Sequence, residues 1–352
     1  MAPAAEVLKS LRPAELSACR AAASFLQSDV WGAFKGRFGW EARAFNAEWE
    51  SGGEPLPLLV LRRSLAAGFS LAYIPWGPQL PPGFHADDKL RASALKELAL
   101  TLKTHLPADT AFIRFDPPWY TEGPDTVPPH VPPPFVRAGA DIQAPDTVLV
   151  NVEEPMEAVM LQMKPKWRYN ARLALKKGVT VRRAGAEEID VFYDLLKETA
   201  GRDGIAIHNL EYYKTLLAAP GGIDTRLYLA EHEGETLAGI VTLFRGREAV
   251  YLYGASSGKK RGLMSPYALQ VKAMEDAKAA GCAEYDFFGI PPNADPAHPM
   301  AGLYLFKTGF GGRIIHRPGS WDFPCRPLVY RLFRCAESVR KRLRDLKKKR
   351  RT

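Results

Sequence analysis

Apolar residues recur at helical spacing in several stretches of the chain. Leu16, Cys19, Ala23 and Leu26 follow a Pro-Ala-Glu-Leu start and predict a capped helix over Pro13 to Gln27. Trp40–Ala47, Pro55–Arg62 and Phe69–Ile74 read as strands, the last ending at the turn Pro75-Trp76-Gly77-Pro78. His85 to His105 carries Leu90, Leu95, Leu98 and Leu102 on one helical face. Ala111–Phe115 is a short buried strand closed by Asp116-Pro117-Pro118, and Gly123 to Pro134 is a proline-rich loop.

From Asp146 a second series begins. Its expected strands are Thr147–Asn151, Val179–Arg183, Arg226–Glu231, Thr236–Arg245, Glu248–Ala255 and Tyr285–Phe288, with a hairpin turn at Glu233-Gly234. Helices are expected over Pro155 to Lys177, Ala186 to Gly201, Leu210 to Ala218, Met264 to Ala280 and Gly302 to Phe306. A last helix, Leu328 to Lys349, has Leu328, Val329, Leu332, Phe333, Ala336, Val339, Leu343 and Leu346 as its apolar stripe. The order helix, strand, two helices, antiparallel meander, helix, strand matches the GNAT acyltransferase fold. The first half repeats a looser version, so the fold class expected is α/β (α+β) with two GNAT-like domains.

Length and composition agree. The 352 residues suit about two domains, and 46% hydrophobic with 25% charged residues is ordinary globular composition. The net charge of +9 is concentrated at the end. Arg340 to Arg351 holds nine Lys/Arg against Asp345, which leaves the rest of the chain near neutrality. Cys19, Cys282, Cys325 and Cys335 have neither zinc-site nor disulfide-framework spacing, so reduced thiols in a cytoplasmic protein are expected. Met1 to Leu16 has no apolar leader pattern, and Ser64 to Ala86 is broken by four prolines, so neither a signal peptide nor a membrane span is expected. No HExxH, GxSxG, Walker or dinucleotide motif stands in context, and no metal site is expected. The basic turn Ser256-Ser257-Gly258-Lys259-Lys260-Arg261-Gly262-Leu263 opens a helix and suits an anion, but it lacks the second glycine of the acyl-CoA pyrophosphate loop.

Several segments, in order, resemble the Fem-type (FemABX) peptidyltransferases. They are Gln27-Ser28-Asp29-Val30-Trp31-Gly32-Ala33-Phe34-Lys35, Phe112-Ile113-Arg114-Phe115-Asp116-Pro117, and Met163 to Val179 with its Lys-Pro-Lys-Trp-Arg-Tyr-Asn core. The others are Arg202-Asp203-Gly204-Ile205, Tyr251 to Ser257, Tyr285 to Ile290 and Gly302 to Gly312. The resemblance spans roughly Phe25 to Phe323. It implies transfer of an amino acid from aminoacyl-tRNA to a stem-peptide amine of a peptidoglycan precursor, either UDP-linked or lipid-linked. It also implies that residues 1–146 with about 320–352 form a precursor-binding domain, and that 147–319 form a domain holding the aminoacyl donor and the catalytic cavity. No heptad run marks the coiled-coil arm of some members. Aminoacyl-tRNA is the co-substrate, and no cofactor is expected.

Ester aminolysis needs orientation and an oxyanion donor. The resemblance puts Lys307 in that place; the alternative is a solvated lysine at a helix end. Phe306 suits a cavity wall and equally a core position. Asp116 suits a proton acceptor for the attacking ammonium, or a cap of the Asp-Pro turn. Lys35 and Arg202 match positions that contact the precursor pyrophosphate; alternatively Lys35 closes a helix and Arg202 pairs with Asp203. Trp31 and Tyr253 are further substrate-side candidates, although period two puts Tyr251 and Tyr253 on one strand face, where both would be core. For the tRNA end, Lys164, Arg168 and Arg172 share a helical face, and Lys259, Lys260 and Arg261 form a second basic set. Both sets also read as solvated surface. The basic tail suits tRNA phosphates or an anionic membrane. A monomer, cytoplasmic or peripheral at the inner membrane face, is expected. An acyl-CoA-dependent N-acyltransferase and a non-catalytic tRNA- or membrane-binding protein are the alternatives.

Overall fold

The computed structural model describes residues 7–84, 87–219 and 221–349, without the side chains of Lys341 and 344–349. His85, the side chain of Leu346 and most of the basic tail therefore lie outside the described residues. The chain forms two compact units. One comprises residues 1–120, 128–145 and 317–352, and the other 121–127 and 146–316.

The first unit is built on a seven-stranded sheet in the order Leu8–Ala14, Glu41–Trp49, Leu56–Ser64, Ser70–Ile74, Thr110–Phe115, Trp321–Pro324, Val136–Arg137. Among the described residues its one parallel pair is Ser70–Ile74 beside Thr110–Phe115. Helix Asp88–His105 makes that crossover, and Asp87 caps it by accepting from the amides of Lys89 and Leu90. Its Leu95, Leu98 and Leu102 are buried with Val60, Ile74 and Ile113 in one core.

The expected helix over Pro13 to Gln27 is not formed. Leu8–Ala14 is an edge strand instead, and Pro13 lies opposite Phe45, an edge position where a missing N–H is tolerated. Two 3-10 turns follow, Leu16–Ala21 and Phe25–Gln27, separated by extended Ala22. Ser24 then accepts from the Leu26 amide, and that local bond competes with a continuous helix. Helix Asp29–Gly36 begins at Ser28, whose hydroxyl accepts from the Trp31 amide.

The second unit carries an eight-stranded sheet in the order Thr121–Glu122, Arg313–His316, Asp146–Asn151, Glu284–Asp286, Glu248–Ser256, Glu235–Arg245, Asp224–His232, Thr180–Ala184. Its one parallel pair among the described residues is again bridged by a single helix, Ser265–Ala279. That pairing ends at Val250 opposite Asp286, although the longer strand continues to Ser256. The sheet therefore splays from Tyr251 onward.

The expected helix Pro155 to Lys177 is two helices, Met156–Gln162 and Pro165–Lys176. Pro165 forces its predecessor Lys164 out of the helical region and sits in the first turn of the second helix. The two GNAT-like sheets, each with one helix-bridged parallel pair, match the expected fold class. No coiled-coil arm occurs among the described residues.

Candidate active site

Three elements meet where the parallel pairing of the second unit ends. Strand Glu248–Ser256 supplies Tyr251, strand Glu284–Asp286 and the turn after it supply Asp286, Phe288 and Gly289, and helix Ala301–Thr308 supplies Phe306 and Lys307. Phe288 and Gly289 both have left-handed backbones, with φ of 47° and 70°. For a phenylalanine this conformation costs energy and persists only when its surroundings enforce it. Here it turns two successive carbonyls onto one target. The Lys307 ammonium donates to the Phe288 oxygen and, at 2.9 Å, to the Gly289 oxygen.

Asp286 fixes this turn. Its Oδ1 accepts from Thr147 Oγ1 at 2.5 Å and from the Phe288 amide at 2.7 Å. Its Oδ2 is buried and has no hydrogen-bond partner. Lys307 is only 6% exposed. Burial pushes its pKa down to about 7, and the Asp286 charge works in the opposite direction. The Tyr251 ring covers the ammonium, with its centroid 5.0 Å from Nζ. An ammonium has three N–H donors, and the two carbonyls take two of them.

Tyr251 and Tyr253 do not share a face as strict alternation required. A bulge separates them, because Val241 pairs with Tyr253 and Thr242 with Tyr251. Tyr251 therefore turns toward Lys307 and Phe287, while Tyr253 packs edge-on against Tyr213 at 5.1 Å and lies 3.4 Å from the Tyr212 hydroxyl. Gly254 is required beside it, since a Cβ there would sit 1.8 Å from the Tyr251 hydroxyl.

Phe306 is half-buried, and its carbonyl accepts from Trp167 Nε1 at 2.8 Å. Lys164 lies over the Trp167 ring at 5.7 Å, and its amide donates to the Gly309 carbonyl. The structure thus joins Lys164, Trp167, Phe306 and Lys307 through two adjoining helices. Arg168 is separate in role. Its guanidinium donates to the Leu161 and Met163 carbonyls and ties down the break between the two helices. Arg172 is exposed.

The basic turn after the splayed strand is not an open anion cradle. The Glu198 carboxylate accepts from the Gly258 amide at 2.5 Å and from Ser257 Oγ. Lys259 pairs with Glu235, and Lys260 with Glu233 and Glu235, while Arg261 is exposed. Arg202 has its fork engaged by Asp203 and by the Ser256 carbonyl, which is the ion pair weighed from the sequence.

In the first unit, Trp31 is buried against Phe25 and Phe34. Lys35 lies over both Trp31 and Trp40, at 5.6 and 6.0 Å, and Arg63 covers Trp40 at 5.4 Å. Burial, with Arg63 alongside, lowers the Lys35 pKa to about 8. Neither Arg63 nor Trp40 was marked by the sequence as a site residue, because Trp40 precedes strand Glu41–Trp49, Arg63 lies near the end of strand Leu56–Ser64, and the two share no local motif. Asp116 is 2% exposed and accepts from Tyr73, Ser320 and the Gln143 amide. Burial raises its pKa to about 6. Its carboxylate ties the end of strand Thr110–Phe115 to Tyr73, Ser320 and Gln143, and these partners lie outside the Asp-Pro turn that the sequence offered it as a cap for.

No group of three or more His, Cys, Asp or Glu residues among those described is placed to hold a metal. The four cysteines are unpaired thiols, of which Cys335 is exposed.

Two α/β units, each a mostly antiparallel sheet with one helix-bridged parallel pair, make the fold GNAT-like. A model of the FemAB family matches residues 135–233 and 223–338, and the chain belongs to that family. The lipid II:glycine glycyltransferase of Staphylococcus aureus strain USA300 is 23% identical over 398 residues, covering 92% of each chain. That of Staphylococcus saprophyticus is 24% identical over 269 residues, covering 58% of this chain and 64% of the relative, less than two thirds of its length. The crystal structure of FemX superposes with a TM-score of 0.73 at 19% identity, covering 90% of this chain and 96% of that one, and shares its fold.

Proposed function

We propose that the protein is an aminoacyltransferase that adds an amino acid to the stem-peptide amine of a peptidoglycan precursor, with aminoacyl-tRNA as donor. The observation that carries this reading is the buried Lys307, held by the Phe288 and Gly289 carbonyls where the parallel strand pairing of the second unit ends. Family membership and the glycyltransferase relatives support it.

In the reaction, a neutral amine attacks the ester carbonyl. A C–N bond forms, the C–O bond to the terminal ribose breaks, and the amine proton ends on the ribose oxygen. The third N–H of Lys307 supplies the donor for the oxyanion, where charge develops in a largely dehydrated setting. Asp286 acts through Lys307, favouring its charged form and holding the turn that positions it. Phe306 and Tyr251 wall the opening. Lys35, with Arg63 beside it, is the best cation pair of the first unit for the precursor pyrophosphate. In the second unit, Arg202 would have to exchange its Asp203 partner to bind a phosphate. Lys164, Arg172 and Arg261 are the exposed cations suited to the tRNA end.

The acyl-CoA alternative is disfavoured by Glu198. Its carboxylate already caps the amide that would face a pyrophosphate, and it would repel one. The test is transfer of radiolabelled amino acid from a mixed pool of charged tRNAs to UDP-MurNAc-pentapeptide and, in detergent, to the lipid-linked precursor. Label is expected in one acceptor, reduced about 100-fold or more by Lys307→Ala. Label from acetyl-CoA and none from charged tRNA would overturn the reading.

A further inference from the structure

The C-terminal helix, Pro327–Lys349, has two apolar faces where the sequence suggested one stripe. Tyr330 and Phe333 turn inward and pack on Phe112, with ring centroids 5.3 and 4.9 Å apart. Leu328, Leu332, Val339 and Leu343 turn outward and are 54–75% exposed. Cys335, also exposed, falls between them at helical spacing. Four exposed aliphatic side chains on one helix line are more than scattered surface apolarity requires. Arg331, Arg340 and Arg342 are exposed beside this line. In sequence the chain continues through Lys347-Lys348-Lys349-Arg350-Arg351, so nearly all the net charge of the protein falls in this C-terminal stretch.

We propose that this outward line docks the protein on an anionic lipid bilayer, with the helix lying in the interfacial plane. An aliphatic strip flanked by arginines is the pattern such a surface selects: the leucines enter the acyl boundary while the cations meet headgroup phosphates. The other candidate occupants fit less well. A nucleic acid backbone gives no apolar surface for four aliphatic side chains. A second copy of the same helix would bring like-charged flanks together. The proposal stands on this helix alone and does not depend on the transfer reaction.

The experiment is flotation of the full chain with vesicles of phosphatidylcholine alone, or with about a third phosphatidylglycerol. Binding is expected only to the anionic vesicles, and it should weaken as salt is raised. Leu332→Glu with Val339→Glu changes only outward positions and should reduce the bound fraction roughly tenfold. Arg331→Gln with Arg342→Gln should reduce it less, and should flatten the salt dependence. Circular dichroism and thermal unfolding of each variant check that the fold is kept. Absence of binding by the unmodified chain, or equal binding by the Leu332/Val339 variant, would overturn the proposal. So would a finding by sedimentation that the same variant turns a dimer into a monomer without affecting vesicle binding, or that it loses tRNA binding but keeps the vesicles.

Discussion

At the residue scale, the proposed chemistry requires Lys307 to be charged while the attacking amine is neutral. With its pKa lowered to about 7 by burial, the ammonium is lost as pH rises through that value. Transfer should therefore have a falling alkaline limb near pH 7, read from kcat against pH. Asp286→Asn removes the charge that favours the ammonium, so the limb should move to lower pH. A purely structural Asp286 would lower activity without moving the limb. Stability gives a second sign to check. The unfolded lysine titrates near 10.5, so between about 7 and 10.5 the unfolded chain binds more protons and stability rises with pH. The gain in Tm from Lys307→Met should then be larger at pH 6 than at pH 9. Lys307 was legible in the sequence only through its resemblance motif. Nothing in the run Leu303 to Gly312 announces burial of a lysine. That burial depends on the left-handed turn at Phe288, and a Phe-Phe-Gly sequence gives little local sign of such a turn.

At the element scale, hydrophobic periodicity located most of the strands and helices and failed where one local bond or one inserted residue decides the outcome. The bulge at Leu252 is such a case. Alternation read through it put Tyr251 and Tyr253 together, and one extra residue sends them to different neighbours. Gly254 is the readable trace of that arrangement, a glycine inside a strand where a ring lies close to the backbone. Gly254→Ala should displace the Tyr251 ring from Lys307 and cost about 1–3 kcal/mol in urea unfolding, with reduced transfer. Combining it with Tyr251→Leu should be clearly less than additive, because the clash has then lost its partner. The helix break at Met163-Lys164 was similarly available from Pro165, but the guanidinium of Arg168 that seals it was not. The same residue read as part of a basic face is taken up by two carbonyls. Helix Asp29–Gly36 was legible only at its end, as the helix that Lys35 closes, while its Ser-Asp start is the local signal for where it begins.

At the scale of the whole molecule, the order of elements was enough to give the GNAT-like class, but contacts between distant segments leave no period to read. The clearest case is Asp322, fully buried and 208 residues from its partner Arg114. Both Asp322 oxygens accept from the Arg114 guanidinium, at 2.7 and 2.9 Å, and the Tyr330 hydroxyl donates to the same carboxylate at 3.0 Å. One side chain thus joins strand Thr110–Phe115, strand Trp321–Pro324 and the C-terminal helix within the first unit. Asp322→Ala would leave a guanidinium buried without its counter-charge, which should cost about 3–5 kcal/mol. Asp322→Asn keeps the shape and part of the hydrogen bonding, so it should cost less. The loss should also be local before it is global. With the Tyr330 tether gone, the C-terminal helix should open more often, and trypsin should cut after Arg331 and Arg334 faster in the Ala variant than in the parent chain. Equal cutting in the two chains would mean that the helix is held without Asp322, by Tyr330 and Phe333 packing on Phe112 and by Arg334 donating to the Arg137 carbonyl. If the tether does matter, the strand-end pair Arg114–Asp322 also sets how firmly the outward leucine line is presented. Vesicle binding by the Asp322→Ala protein would then fall even though no residue of that line has changed.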